Sequence, residues 1–179
     1  MRLFLAAELP DRVSDELAQW TRAAVGRGEQ PRRLDPAAMH LTLCFLGEQP
    51  PSAVAPIARA LGESAELVAA VADLRLGAPV WLPPQRPRVL AVAVGDPDGA
   101  LGALREALVA QLAAILAWDP GRERFRAHVT VARMRPGSQR ARELPPTPPL
   151  HFAVTAATLF RSTLDPGGAR YEALASTPG

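Results

Sequence analysis

Apolar positions recur along this chain with two periods, one of two residues and one near 3.6, and their alternation gives the order of elements. Residues 2–8, built on Leu3, Phe4 and Leu5, predict a strand. Pro10-Asp11 then opens a helix to about Gly26, since Val13, Leu17, Trp20 and Ala24 fall on one face. Residues 32–36 read as a loop, and His40 to Leu46 as a strand that stops at Gly47. Pro50-Pro51 introduces a second helix with Val54, Ile57, Ala58 and Leu61 at helical spacing. Residues 73–82 and 88–94 predict two strands around the loop Pro83-Pro84-Gln85-Arg86-Pro87. Asp96-Pro97-Asp98 offers a cap and a proline for a helix to about Trp118, with Leu101, Leu104, Leu108, Leu112 and Ile115 inward. Strands follow at 125–132, 151–160 and 169–174, with a proline-rich loop over 144–149. Strand–helix–strand–helix thus appears once per half. No glycine-rich loop follows a strand, so neither a dinucleotide fold nor a phosphate-loop fold is supported. The pattern predicts an α+β chain with largely antiparallel sheets.

Composition adds bounds. The 179 residues, 48% hydrophobic, fit one domain over 1–179 with a packed core. Glu8 and Pro10 end the apolar start too early for a signal segment, and no stretch approaches a membrane span, so a cytoplasmic protein without a membrane partner is expected. A monomer is expected. The single cysteine, Cys44, excludes an intrachain disulfide and a cysteine-built zinc site. Net charge is +2, and every basic residue is arginine. Seven arginines lie between Arg122 and Arg142 against one acid, Glu123. Such a segment suits phosphate, which the forked guanidinium grips through two donors, or it is simply a solvated face.

The candidate chemistry lies in a repeat. Two of the three histidines open nearly identical phrases, His40-Leu41-Thr42-Leu43 and His128-Val129-Thr130-Val131. In a strand, residues i and i+2 share a face. His40 and Thr42 therefore project together, as do His128 and Thr130, above aliphatic residues turned to the core. One such pair alone is usually structural; two copies, one per half, imply two lobes facing each other across a cleft, with both rings toward one cavity. Opening a cyclic phosphodiester requires one imidazole to take a proton from water and another to give one to the leaving alkoxide. Imidazole supplies both forms near neutral pH. The threonine hydroxyls can donate to the non-bridging oxygens, and a nearby arginine can neutralise the remaining charge.

With these phrases the sequence resembles the 2H phosphoesterases, and within them the RNA 2′,3′-cyclic phosphodiesterases, also called 2′-5′ RNA ligases. Matching residues are Arg2-Leu3-Phe4-Leu5-Ala6, His40 through Gly47, Pro87-Arg88-Val89-Leu90, Phe125, His128 through Arg133, and Leu159 through Leu164 with Gly168 and Tyr171. The chain departs from the family at Ala127, where proline is frequent, and at Ala91, where tryptophan is frequent. The resemblance implies two pseudo-symmetric lobes and a central cleft. It implies His40 as proton donor and His128 as proton acceptor, with Thr42, Thr130 and Arg133 on the substrate phosphate. It also implies RNA ends or small cyclic nucleotides as substrate, a 2′-phosphate product, and neither metal nor cofactor. Arg133 lies five residues after His128, so strict alternation puts it on the opposite face. For it to reach the phosphate, the strand must bend or end near Ala132.

Other residues carry weaker signals. Phe125 and Trp81 are candidates for base stacking and equally for core packing. His151 reads as a surface histidine. Cys44 shares the face of His40 and Thr42 by parity but reads as a small buried filler. Three competing functions stay open: a module that binds nucleotide phosphate without cleaving it, a two-histidine metal site, and ligation as the reverse of hydrolysis.

Overall fold

The structure, a computed structural model, describes every residue except 26–30, 122–123, 138–139, 142 and 166–167. Arg122, Glu123, Arg142 and the helix end at Gly26 therefore lie outside the described residues. The elements run β1 (Arg2–Glu8), α1 (Asp11–Val25), β2 (Arg32–Arg33), β3 (His40–Glu48), α2 (Val54–Glu63), α3 (Ala65–Ala69), β4 (Leu74–Leu82), β5 (Val89–Gly95), α4 (Ala100–Ile115), β6 (His128–Arg133), β7 (His151–Phe152), β8 (Ala156–Asp165) and β9 (Gly168–Pro178). Every strand pairing is antiparallel, which confirms the α+β class.

The sheets of the two halves meet in one curved order, β7-β4-β5-β6-β3-β1-β8-β9, with β2 added beside β6. The order reads symmetrically about its centre, where the two motif strands β6 and β3 lie side by side. They are joined at Leu41↔Val129. These are the second residues of the two motifs, so exchanging the motifs leaves the register unchanged. Extended by one residue either way, that register sets His40 opposite Thr130 and Thr42 opposite His128.

One face of the sheet holds the core. Leu17 of α1, Ile57 and Leu61 of α2, and Leu101, Leu104, Leu108 and Leu112 of α4 are sealed against Leu3, Leu5, Leu41, Leu90, Val92 and Val129. Each fully buried aliphatic side chain contributes roughly 1.5–3 kcal/mol. Helix α1 packs against β6 and α4 against β3, so each half's helix reaches the other half's motif strand.

Several sequence expectations shift. Residues 151–160 form two strands rather than one, because β7 pairs with β4 and β8 pairs with β1 at the other side of the sheet. One straight strand cannot serve both. The hop at 153–155 is held by Val154 N–H to Val71 carbonyl and Thr155 N–H to Glu8 carbonyl, both 3.1 Å. The expected loop at 32–36 contains β2, since Arg32 and Arg33 pair with Arg133 and Ala132. Helix α4 starts later than its Asp-Pro signal suggests. Asp96 still caps it, accepting from Gly102 N–H at 2.9 Å, but the chain first turns through Gly99 at φ +73°. Ile115, expected inward, is 47% exposed, because the helix ends there.

Candidate active site

Each motif strand carries the same irregularity. Between β1 and β3 the register steps from Leu5↔Cys44 to Ala6↔Thr42, which leaves Leu43 without a partner. Between β5 and β6 it steps from Leu90↔Ala132 to Ala91↔Thr130, which leaves Val131 without one. Each is a β-bulge at the fourth residue of its motif, and a bulge resets which face later side chains take. Burial follows the reset: Leu43-Cys44 and Val131-Ala132 are consecutive buried pairs, and the fifth residue after each histidine turns outward.

The bulge resolves the parity of Arg133. Val131 absorbs the extra residue, Ala132 is buried, and Arg133 emerges on the face of His128 and Thr130. It also corrects the parity of Cys44. The thiol is turned into the core, 3% exposed, and burial pushes its pKa up to about 11 despite the nearby Arg105, so it is no nucleophile near neutral pH. Phe45 takes the place that Arg133 holds in the second motif and is 51% exposed. Aligning the two phrases residue by residue would have found it.

The carbonyls freed by the bulges are both capped. Val131 O accepts from Leu34 N–H at 2.9 Å, just beyond β2. Leu43 O accepts from Arg105 Nε–H at 3.2 Å, reached from α4.

The imidazoles share a second device. His40 Nδ1 lies 3.0 Å from Ala38 O, and His128 Nδ1 lies 2.7 Å from Arg126 O. Each partner is the carbonyl two residues upstream. A carbonyl only accepts, so Nδ1 carries the hydrogen in both rings. That leaves Nε2 as the ring nitrogen without a hydrogen in each neutral ring, the tautomer being set by the partner of the other nitrogen.

Their surroundings differ. His40 is enclosed by Phe4, Tyr171 and Phe160, with ring centroids 5.0, 5.3 and 6.2 Å away. Burial lowers its pKa to about 4, opposed by the Ala38 carbonyl and assisted by the charges of Arg133 and His128. The last cause places the two rings within each other's field. Arg133 Nη2 donates to Tyr171 Oη at 3.4 Å.

The rings line adjoining cavities. A cavity of about 390 Å³ holds His40, Thr42, Phe45, Arg133 and Tyr171. Another of about 680 Å³ holds Thr42, Phe45, Arg105, Phe125 and His128. They meet at Thr42 and Phe45. Thr130 is half-buried on β6, where it pairs with Ala91. Among the described residues, neither motif threonine makes a side-chain hydrogen bond; Thr42 lines both of these cavities, and Thr130 lines neither.

Phe125 lies beside His128, with the Arg105 guanidinium 4.8 Å from its ring centroid. Trp81 sits on β4, packs partly buried against the core and lines neither of these two cavities. His151 is exposed and pairs with Asp73 at 3.1 Å. Among the described residues, no three His, Cys, Asp or Glu side chains gather as metal ligands, and none of the helices is long and apolar enough to cross a membrane.

Two central strands with matched histidine motifs, in a sheet of this symmetric order, define the class of 2H phosphoesterases. A family model described as the 2′-5′ RNA ligase superfamily matches residues 9–166, and the chain belongs to that superfamily. A curated relative, the RNA 2′,3′-cyclic phosphodiesterase of Thermus thermophilus, is 33% identical over 186 residues, covering 97% of this chain and 88% of the relative. The crystal structure of TT0787, also of Thermus thermophilus, superposes with a TM-score of 0.82 at 29% identity, covering 99% of this chain and 97% of that one. E. coli LigT complexed with 3′-AMP superposes with a TM-score of 0.75 at 27% identity, covering 99% and 96%.

Proposed function

We propose that the protein hydrolyses RNA 2′,3′-cyclic phosphate ends to 2′-phosphates by acid–base catalysis that uses no metal. The observation that carries this is the shared imidazole lock, which leaves one free Nε2 per motif on the two central strands. The name of the Thermus relative and the 3′-AMP held by LigT support a nucleotide phosphate as the ligand.

In this reading the cyclic phosphate lies against Thr42, Thr130 and Arg133. Their donors bind the non-bridging oxygens more strongly as charge builds on them. His128 Nε2 takes a proton from water as its oxygen attacks phosphorus. The bond from phosphorus to O3′ breaks, and His40 Nε2–H delivers a proton to O3′. The products are a 2′-phosphate and a free 3′ hydroxyl. His128 ends protonated and His40 neutral, and exchange with solvent restores both. With a 5′ hydroxyl in place of water, the same groups run the ligation direction.

The mirrored assignment has one observation in its favour. At a pKa of about 4 in the ligand-free cleft, His40 is ready as a base rather than as an acid. A phosphate anion beside the ring opposes the charges of Arg133 and His128 and raises that value, which the donor role needs. The pH profile alone does not separate the two, since both put one limb of kcat/KM near 4.

The test is a 2′,3′-cyclic-ended oligonucleotide incubated with and without EDTA. A 2′-phosphate product, unaffected by the chelator, is expected. An intact substrate, or activity abolished by EDTA, overturns the reading.

A further inference from the structure

Two of the cavities that flank the histidines carry opposite charge. Beyond His40 lies a cavity of about 640 Å³ lined by Glu8, Asp11, Asp15 and Asp35, and no described arginine reaches it. Beyond His128 lies the cavity of about 680 Å³ lined by Arg105, Arg124 and Arg126, with no described carboxylate. Such polarity repels an RNA strand from the first wall and attracts it to the second.

The basic cavity is also built. Arg105 leaves α4 with Nε–H on the bulged Leu43 carbonyl, next to Thr42. Its guanidinium carbon lies over the ring of Phe125, three residues before His128, at 4.8 Å from the centroid. Among the described residues, its two terminal nitrogens make no hydrogen bond or ion pair, and the side chain lines the cavity. A guanidinium held through Nε and against the Phe125 ring, with its terminal nitrogens unpaired, presents a fork suited to two phosphate oxygens. Trp118, whose indole N–H is tied to Phe45 O at 3.0 Å, closes the same wall.

We propose that this cavity is a second-nucleotide subsite, in which Arg105 grips the phosphodiester immediately 5′ to the cyclic phosphate and the RNA strand leaves past His128. The proposal rests on the cyclic phosphodiesterase reading. A cyclic mononucleotide fills only the reaction centre, whereas a dinucleotide ending in a cyclic phosphate fills both.

The experiment measures kcat/KM on a cyclic mononucleotide and on the matching dinucleotide, for the full chain and for Arg105→Gln and Arg105→Lys. The full chain is expected to prefer the dinucleotide by about tenfold. Arg105→Gln should abolish that preference while changing mononucleotide turnover by less than about threefold, and Arg105→Lys should retain part of it. The salt dependence of log kcat/KM for the dinucleotide should flatten by about 0.7 in Arg105→Gln, the loss of one phosphate contact on a single strand. Equal losses on both substrates would mean that Arg105 only supports the Leu43 bulge, and would overturn the proposal. So would a full chain with no dinucleotide preference. If neither substrate is cleaved by the full chain, the cyclic phosphodiesterase reading itself fails.

Discussion

The strands β3 and β6 open with the same four-residue pattern, bulge at the same place and aim their imidazoles with the same lock, yet they make unlike halves of a site. After the bulge, β3 offers Phe45 where β6 offers Arg133. The His40 ring stands in an aromatic enclosure that strips its water, while His128 borders a cavity lined by arginines. Two imidazoles can divide acid and base work only if their environments part their proton affinities. Around His40, burial among rings from β1, β8 and β9 lowers that affinity. Duplicated phrases supply the groups, and the surroundings supply the difference between them.

The sharpest way to break that comparison is to remove each ring in turn. His40→Ala and His128→Ala should each lower turnover by about 10²–10⁴. An aryl phosphodiester, whose leaving group needs no proton, should partly rescue His40→Ala and not His128→Ala. Rescue of His128→Ala instead would exchange the two roles.

The next effect concerns the anion's other contacts. Thr42→Val, Thr130→Val and Arg133→Gln each remove a donor proposed to hold the phosphate and should each cost about 10²–10³ in kcat. Near-normal turnover in both valine variants would take the threonines out of the site. Tyr171→Phe removes only the 3.4 Å support of Arg133 and should fall by a few-fold, read as the split between KM and kcat.

The last effect is one of stability. The depressed pKa of His40 means that between pH 6.5 and about 4 the unfolded chain holds a proton that the folded chain lacks. Stability from this residue is therefore full above pH 6.5. It is lost at about 1.4 kcal/mol per unit as pH falls, to a total of about 3 kcal/mol near pH 4. Denaturant midpoints of the wild type and His40→Gln, compared across that window, should converge as pH falls. Parallel curves would show that the ring is not held neutral by burial.

Much of this is legible in the sequence. The His-x-Thr phrases announce the central strands because the residues that need to be polar and those that need to be buried alternate along a single stretch. The bulges are not legible. A bulge is a mismatch in count between two strands, and Leu43 is unpaired only because β1 steps past it. Strict alternation therefore gives Cys44 the wrong face and hides the exposure of Phe45. Arg133 poses the same problem openly, since its expected role contradicts that alternation. β2 escapes notice because two residues carry no periodicity, and Arg105 because nothing in a helical repeat tells which polar side chain will reach across to another strand. Phe4, Phe160 and Tyr171 around His40 come from three strands, two of them distant in sequence from the third, so only the sheet order brings them together.

The lock on each imidazole is local in a way that bears on how such a molecule arises. The carbonyl that fixes His40 belongs to Ala38, and the one that fixes His128 belongs to Arg126. Donor and acceptor are separated by one residue, so a copied segment of a few residues takes its ring orientation with it into any new setting. Nothing in the distant fold must be reinvented for a second histidine to point its free nitrogen outward. A gene duplication that placed two such segments back to back would begin with both rings already aimed. Later change could then be confined to the neighbours, which is where these two halves differ.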